Sequence, residues 1–129
     1  NYYMNEFSAA IGLTQLNKLN KMNKIRTNTA KKYHERIKLE HKMPIKNGCA
    51  YHFYWIIVKN RDAFREKMLK KGIETGTHYK PIHKFSMYKQ KKKLPITEKI
   101  GRKIVTLPTH PNLKDKDIDF IIKYVNEFN

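Results

Sequence analysis

The first long helix of this chain begins with a block that is small or apolar on every side, Ala9-Ala-Ile-Gly-Leu13. A helix that faces solvent carries its apolar residues on one stripe, so a helix that is apolar all round must be covered by other protein. The few residues before this block could not cover it. We therefore expect the 129 residues to be the C-terminal part of a larger protein, cut just before a long helix.

The spacing of apolar residues predicts that this helix runs from about 6 to 39. Its second half carries one narrow stripe with a spacing of three or four residues, made of Met22, Ile25, Thr29, Tyr33 and Ile37. Lysines fall between and around that stripe. The helix should therefore be buried at its start and half-exposed at its end, as expected for a helix that connects two bodies of protein.

The remaining segments predict a small sheet covered by helices. Tyr51-His-Phe-Tyr-Trp-Ile-Ile-Val58 is rich in aromatic and β-branched residues and should form an inner strand, with His52 hydrogen-bonded in the core. Extended segments at 73–79 and 104–107 supply two more strands, and helices follow Asn60, Pro95 and Leu113. The fold class is α+β, with a mostly antiparallel sheet of about three strands in one domain, 1–129. Within it, the small α/β part covers about 50–129.

The formal charge of +17 is the second notable property of the chain. Only five of its 28 basic residues are arginine, the residue that specific base and phosphate contacts favour. The densest run, Lys89 to Lys93, falls between Tyr88 and Pro95 and resembles an exposed loop. We predict weak, nonspecific nucleic-acid binding that salt suppresses, although a polyanionic partner remains the alternative.

The cysteine content and hydropathy indicate a compartment. Cys49 is the single cysteine, so no internal disulfide is possible and a reducing environment such as the cytoplasm is expected. No apolar run approaches the roughly 20 residues that a membrane helix requires. We predict no membrane association.

The polar groups that could carry chemistry are concentrated in Gly76-Thr-His-Tyr-Lys-Pro-Ile-His83 and the residues up to Tyr88. Two histidines and two tyrosines in a loop are typical of a ligand-contacting segment. The alternatives are a loop that packs on the sheet edge, or a metal site from His78 and His83 with His110. Neither a cysteine nor a suitably spaced carboxylate joins these histidines, so we predict no metal. A nucleophile–base pair and a phosphate-binding glycine loop are also missing from the sequence.

Four segments, in order, resemble the DegT/DnrJ/EryC1/StrS family of sugar aminotransferases. They are Asn1-Tyr-Tyr-Met-Asn-Glu6 running into Ala9-Ala-Ile-Gly-Leu-x-Gln-Leu16, Tyr51-His-x-Tyr54, Gly72-Ile-Glu-Thr-Gly-Thr-His-Tyr-Lys-Pro-Ile-His83, and Leu107-Pro-x-x-Pro111 with the closing helix. Any one of them would be a weak signal, but together they cover nearly the whole chain. The family has the fold of aspartate aminotransferase (PLP fold type I). The resemblance implies its C-terminal small domain with the leading helix.

The resemblance also implies a chemistry. The family uses pyridoxal 5′-phosphate (PLP) to aminate nucleotide-linked keto-sugars in polysaccharide or glycan biosynthesis, with Glu or Gln as the amino donor, and works as a homodimer. Its Schiff-base lysine and the aspartate that holds the pyridine nitrogen belong to a large domain, expected upstream of Asn1. We therefore expect no catalytic residue in this chain, and no transamination by the chain alone.

Binding residues follow from the same resemblance. Asn1 matches the asparagine that reaches the cofactor phosphate of the neighbouring subunit. His78 and Tyr79 match a pair on the substrate side, with His83 and Tyr88 in the same loop. Tyr3 stands where the family usually has arginine, a partner for an anionic substrate group. A non-catalytic remnant or accessory binding domain is therefore the alternative function, and a basic nucleic-acid-binding module is a third.

Overall fold

The computed structural model describes residues 2–88 and 93–129 and has an α+β fold, as predicted. Helix α1 spans Glu6–Arg36, strand β1 Tyr54–Ile57, α2 Arg61–Lys70, α3 Pro95–Gly101, β2 Ile104–Leu107 and α4 Asp115–Phe128. Two 3-10 turns, Ile82–Lys84 and Ser86–Tyr88, lie between α2 and α3. Over the described residues, none of the helices has the length and hydrophobicity of a membrane-spanning segment.

Helix α1 is capped at its start by the Asn5 side chain and ends where the backbone becomes extended at Ile37. The Asn5 side chain accepts a hydrogen bond of 2.8 Å from the Ser8 backbone N–H, which satisfies one of the unpaired amides of the first turn. The helix ends at Arg36, three residues before the predicted end, because Ile37 is extended and turns into the core. Of the predicted stripe, Thr29, Tyr33 and Ile37 are buried, and Met22 and Ile25 are partly buried.

The start of α1 is exposed in the described residues, and its coverage by protein outside this chain stays a prediction. Phe7 and Ile11 are 84% and 63% exposed, and all residues from 11 to 20 are exposed. The described part of the chain therefore does not cover the apolar block at 9–13.

The sheet has two strands in the described residues rather than about three. Strands β1 and β2 are antiparallel, with Tyr54 opposite Leu107 and Ile57 opposite Ile104. The predicted strand at 73–79 joins β2 through one bridge only, between Gly76 and Thr106. Beyond Gly76 the chain leaves the sheet edge. His78 contacts Thr106 through a side-chain hydrogen bond and not through backbone pairing.

The core lies between the sheet and helices α1, α2 and α4. Tyr33 and Tyr54 are fully buried with ring centroids 5.4 Å apart, and the Tyr33 hydroxyl donates a 2.9 Å hydrogen bond to the Pro108 carbonyl. Burial raises the pKa of both hydroxyls well above their usual range. The predicted α4 stripe is confirmed as core, in the residues Ile118, Ile121, Ile122 and Val125.

His52 was predicted to lie in the core and is instead exposed. Tyr51 has a φ of 47°, so the chain turns just before the strand, and β1 starts only at Tyr54. The alternation that would bury one face of the strand therefore does not extend back to His52. Its backbone carbonyl accepts a hydrogen bond from the Thr109 hydroxyl at 2.9 Å.

Candidate functional site

His78 is fixed on two sides by residues distant in the sequence. Its Nδ1 lies 2.7 Å from the Thr106 hydroxyl oxygen, and its ring stacks on Phe53 with centroids 5.3 Å apart and planes 9° from parallel. Strand β2 positions Thr106, and Phe53 directly precedes β1. The imidazole is therefore held in one orientation by a residue of β2 and by the residue just before β1.

Gly76 makes this arrangement possible. Its N–H donates to the Thr106 carbonyl at 3.0 Å, and the Thr106 N–H donates back to the Gly76 carbonyl at 2.9 Å. A Cβ at Gly76 would lie 2.7 Å from the Thr106 hydroxyl oxygen and 2.8 Å from His78 Cε1. Only glycine allows His78 and Thr106 to meet over this backbone.

His78 forms part of the wall of a cleft of about 810 Å³. His52 and His110 also line it, Arg26 reaches it from α1, and Asp117 lies on its α4 side. The rings of His52 and Phe53 meet edge to face with centroids 5.9 Å apart, so an aromatic row runs along one wall. Three imidazoles, one guanidinium and the Thr106 hydroxyl can hydrogen-bond a polar, hydroxyl-rich or anionic ligand beside an aromatic surface.

The other predicted residues lie at several places. Tyr79 is 70% exposed, and its ring meets His78 edge-on at 4.8 Å. Tyr88 ends the second 3-10 turn and is exposed, and Tyr3 is exposed just before α1. Of these three tyrosines none lines the cleft. Asn1 lies outside the described residues, and so do Lys89, Lys91 and Lys92 of the densest basic run.

His83 is buried at the far end of the loop and faces away from the cleft, toward α3. Its Nε2 lies 3.1 Å from Glu98 Oε1, and within the described residues its buried Nδ1 has no hydrogen-bond partner. The Lys84 ammonium lies 3.0 Å from the other Glu98 oxygen, and the Leu94 N–H donates to Glu98 at 3.3 Å. The hydrogen bonds from Lys84, His83 and Leu94, in that order of size, lower the pKa of Glu98 to about 2.

We expect this cluster to make the stability of the chain sensitive to acid. A carboxylate whose pKa is lower in the folded chain stabilises it above its ordinary pKa of about 4.3, and this stabilisation is lost as the pH falls toward 2. Glu98→Gln should therefore flatten the fall of the melting temperature between about pH 4.5 and 2. Calorimetry across that range measures it.

The matched control is Glu66→Gln, since Glu66 is exposed and pairs with Lys70 across one turn of α2 at 2.7 Å. Its hydrogen bond to Lys70 also lowers its pKa, but an exposed pair of this kind contributes little. An equal flattening by both variants would contradict a specific role for Glu98.

A metal centre finds no support in residues 2–88 and 93–129, where no group of three or more His, Cys, Asp or Glu could hold an ion. Sequence reasoning did not identify Thr106, Phe53 or Arg26 as site residues. Each meets His78 or the cleft only through the tertiary fold, and no local pattern marks them.

Comparison with known proteins places this chain in a family. The sequence profile of the DegT/DnrJ/EryC1/StrS aminotransferase family matches residues 1–126. The chain belongs to this family. Its fold is that of DegT/DnrJ/EryC1/StrS aminotransferases, as the resemblance implied.

Three members show how close the likeness is. GDP-perosamine synthase of Escherichia coli O157:H7 is 30% identical over 99% of this chain and 37% of its own length. Helicobacter pylori PseC, an aminotransferase involved in the biosynthesis of pseudoaminic acid, superposes with a TM-score of 0.88 at 27% identity over 99% of this chain and 38% of its own. The PLP form of the putative sugar aminotransferase Spr1654 of Streptococcus pneumoniae gives 0.86 at 25% identity, over 97% of this chain and 36% of its own. This chain thus spans little more than a third of these DegT/DnrJ/EryC1/StrS aminotransferases.

Proposed function

We propose that this chain forms the small domain of a PLP-dependent aminotransferase that acts on a nucleotide-linked keto-sugar. The observation that carries the proposal is His78, held by Phe53 and Thr106 at the wall of an open cleft. Family membership over residues 1–126 and the name of the GDP-perosamine relative support the substrate class.

The described cleft fits the substrate side of such a site better than the cofactor side. PLP, when bound, supplies an electron sink for the amino transfer. Of the described residues that line the cleft none is a lysine, the residue to which PLP would be attached. We accordingly propose that a large domain upstream supplies the catalytic lysine, and that this chain alone does not transaminate.

Within this proposal, the residues of the chain bind and orient the sugar. With Nδ1 next to Thr106, His78 has Nε2 to hydrogen-bond a sugar hydroxyl. The exposed hydroxyls of Tyr79 and Tyr88 are available on the same loop, which the buried His83 fastens to α3 through Glu98. The proposal also places Asn1 at the cofactor phosphate of a dimer partner and Tyr3 at the substrate. It further includes Glu or Gln as donor and a cytoplasmic location.

His78→Ala in the enzyme that carries this domain should lower kcat/KM for the sugar about 10- to 100-fold, because one oriented hydrogen bond and one ring surface are lost. The amount of bound PLP, read from its absorbance, should stay unchanged. His41→Ala, an exposed residue remote from the cleft, is the control.

Unchanged kcat/KM in His78→Ala would contradict the proposal. It would then favour the accessory binding domain, whose specific support is Tyr3 in place of the usual arginine. Tyr3→Arg tests that departure directly, through the preference of the enzyme among nucleotide-sugars.

A further inference from the structure

The segment that carries His78 has a second side, which faces a separate pocket of about 370 Å³. This pocket lies between the loop, the start of α2 and the end of α3. The side chains that matter for binding are those of Arg61, Thr77, Lys80, Lys84, Glu98 and Arg102. The pocket shares no lining residue with the His78 cleft and is therefore a separate candidate binding site.

The charges around this pocket do not balance. Four cations and one carboxylate line it. Glu98 pairs with Lys84, and Arg61 Nε lies 2.9 Å from a carboxylate oxygen of Asp62. Over residues 2–88 and 93–129, Lys80 and Arg102 form no ion pair, although the Lys80 ammonium lies 5.3 Å from the centre of the Phe85 ring. The pocket therefore keeps excess positive charge from two side chains.

The walls of the pocket are fastened to each other. A Cβ at Gly101 would lie 2.8 Å from Pro81 Cγ, so the end of α3 and the loop are in direct contact. Arg61 Nη1 donates a 2.8 Å hydrogen bond to the Gly101 carbonyl, which ties the start of α2 to the same point. A preformed pocket loses little conformational entropy when it binds a ligand.

We propose that this pocket binds the phosphate groups of a mono- or diphosphate anion, with Arg102 and Lys80 as the main contacts and the Thr77 hydroxyl as a further donor. The guanidinium fork matches two phosphate oxygens, and lysine adds a point charge. The volume is at the low end of ligand pockets and fits phosphate groups better than a whole nucleotide. Free phosphate, pyrophosphate and the diphosphate of a nucleotide share this chemistry.

Isothermal titration of the 129-residue chain at fixed ionic strength tests this site. Inorganic phosphate, pyrophosphate and uridine diphosphate are the probes. Arg102→Gln and Lys80→Gln should each weaken pyrophosphate binding about ten-fold, the effect of one charge-assisted hydrogen bond. Lys99→Gln is the matched control, because Lys99 is on α3, is exposed and does not line the pocket.

Each outcome decides the matter. An equal loss in Lys99→Gln, or no saturable binding of any probe, would overturn the site in favour of diffuse attraction by a basic surface. Similar affinities for pyrophosphate and uridine diphosphate, both weakened about ten-fold in Arg102→Gln, support a site for the phosphate groups alone. Tighter binding of uridine diphosphate with the same loss supports the diphosphate of a nucleotide. If thermal melts show that Arg102→Gln is unfolded, Lys80→Gln against Lys99→Gln decides by itself.

Discussion

Met68→Ala is expected to lower the free energy of unfolding of this chain by about 2–5 kcal/mol. Met68 is fully buried on the face of α2 that meets the core. Removing its side chain loses the transfer free energy of the deleted atoms and leaves a cavity that the neighbouring residues fill only in part. Urea denaturation followed by far-UV circular dichroism measures the change.

The control for this substitution is the next residue. Leu69 lies in the same helix and is 63% exposed, and alanine is a better helix former than leucine. Leu69→Ala should therefore change the free energy of unfolding by no more than about 0.5 kcal/mol. Equal losses of unfolding free energy in the two variants would mean that α2 does not pack on the core through the face that carries Met68.

Gly76→Ala and Gly12→Ala should shift stability in opposite directions. At Gly76 the new methyl would have to displace the Thr106 hydroxyl or the His78 ring, an overpacking that costs about 1–3 kcal/mol. At Gly12, inside α1, no heavy atom beyond the local helix backbone lies within 4 Å of the added Cβ, and alanine in a helix is favoured by about 0.5–1 kcal/mol.

The Gly76 variant has a second readout at the site. Separation of His78 from Thr106 should change the imidazole resonances of His78 in NMR spectra, while those of His41 stay in place. Unperturbed His78 resonances, or a loss of stability in Gly12→Ala as large as in Gly76→Ala, would contradict the close approach over Gly76.

The parts of the fold that could be predicted are those that local periodicity determines. The stripe that contains Thr29 and Tyr33, and the stripe from Ile118 to Val125, are repeats of three and four residues, and a helix turns such repeats to one side whatever it packs on. The third strand and the burial of His52 were wrong because both depend on where pairing begins and ends. Register is a property of two segments and cannot be deduced from one.

The candidate site divides in the same way. The concentration of His and Tyr after Gly76 marked the loop as a ligand segment, and the structure places His78 of this loop on the cleft. The partners of His78 could not be predicted from the sequence, since Thr106 is 28 residues away and fits the pattern of an ordinary strand residue. The burial of His83 depends likewise on Glu98, which only the fold brings beside it.

Helix α1 has a mechanical consequence that follows from its length. Its 31 residues extend about 46 Å, and its residues are buried in the core only from about Thr29 onward. Phe7 thus lies about 33 Å along the helix from Thr29, where the buried part of α1 begins. A tilt of about 5° at the core moves the tip by about 3 Å. Small rotations of the domain, and with it of the cleft wall, would therefore displace the N-terminal end of α1 by more than a bond length. A protein domain that packs on that end would be moved by the same amount.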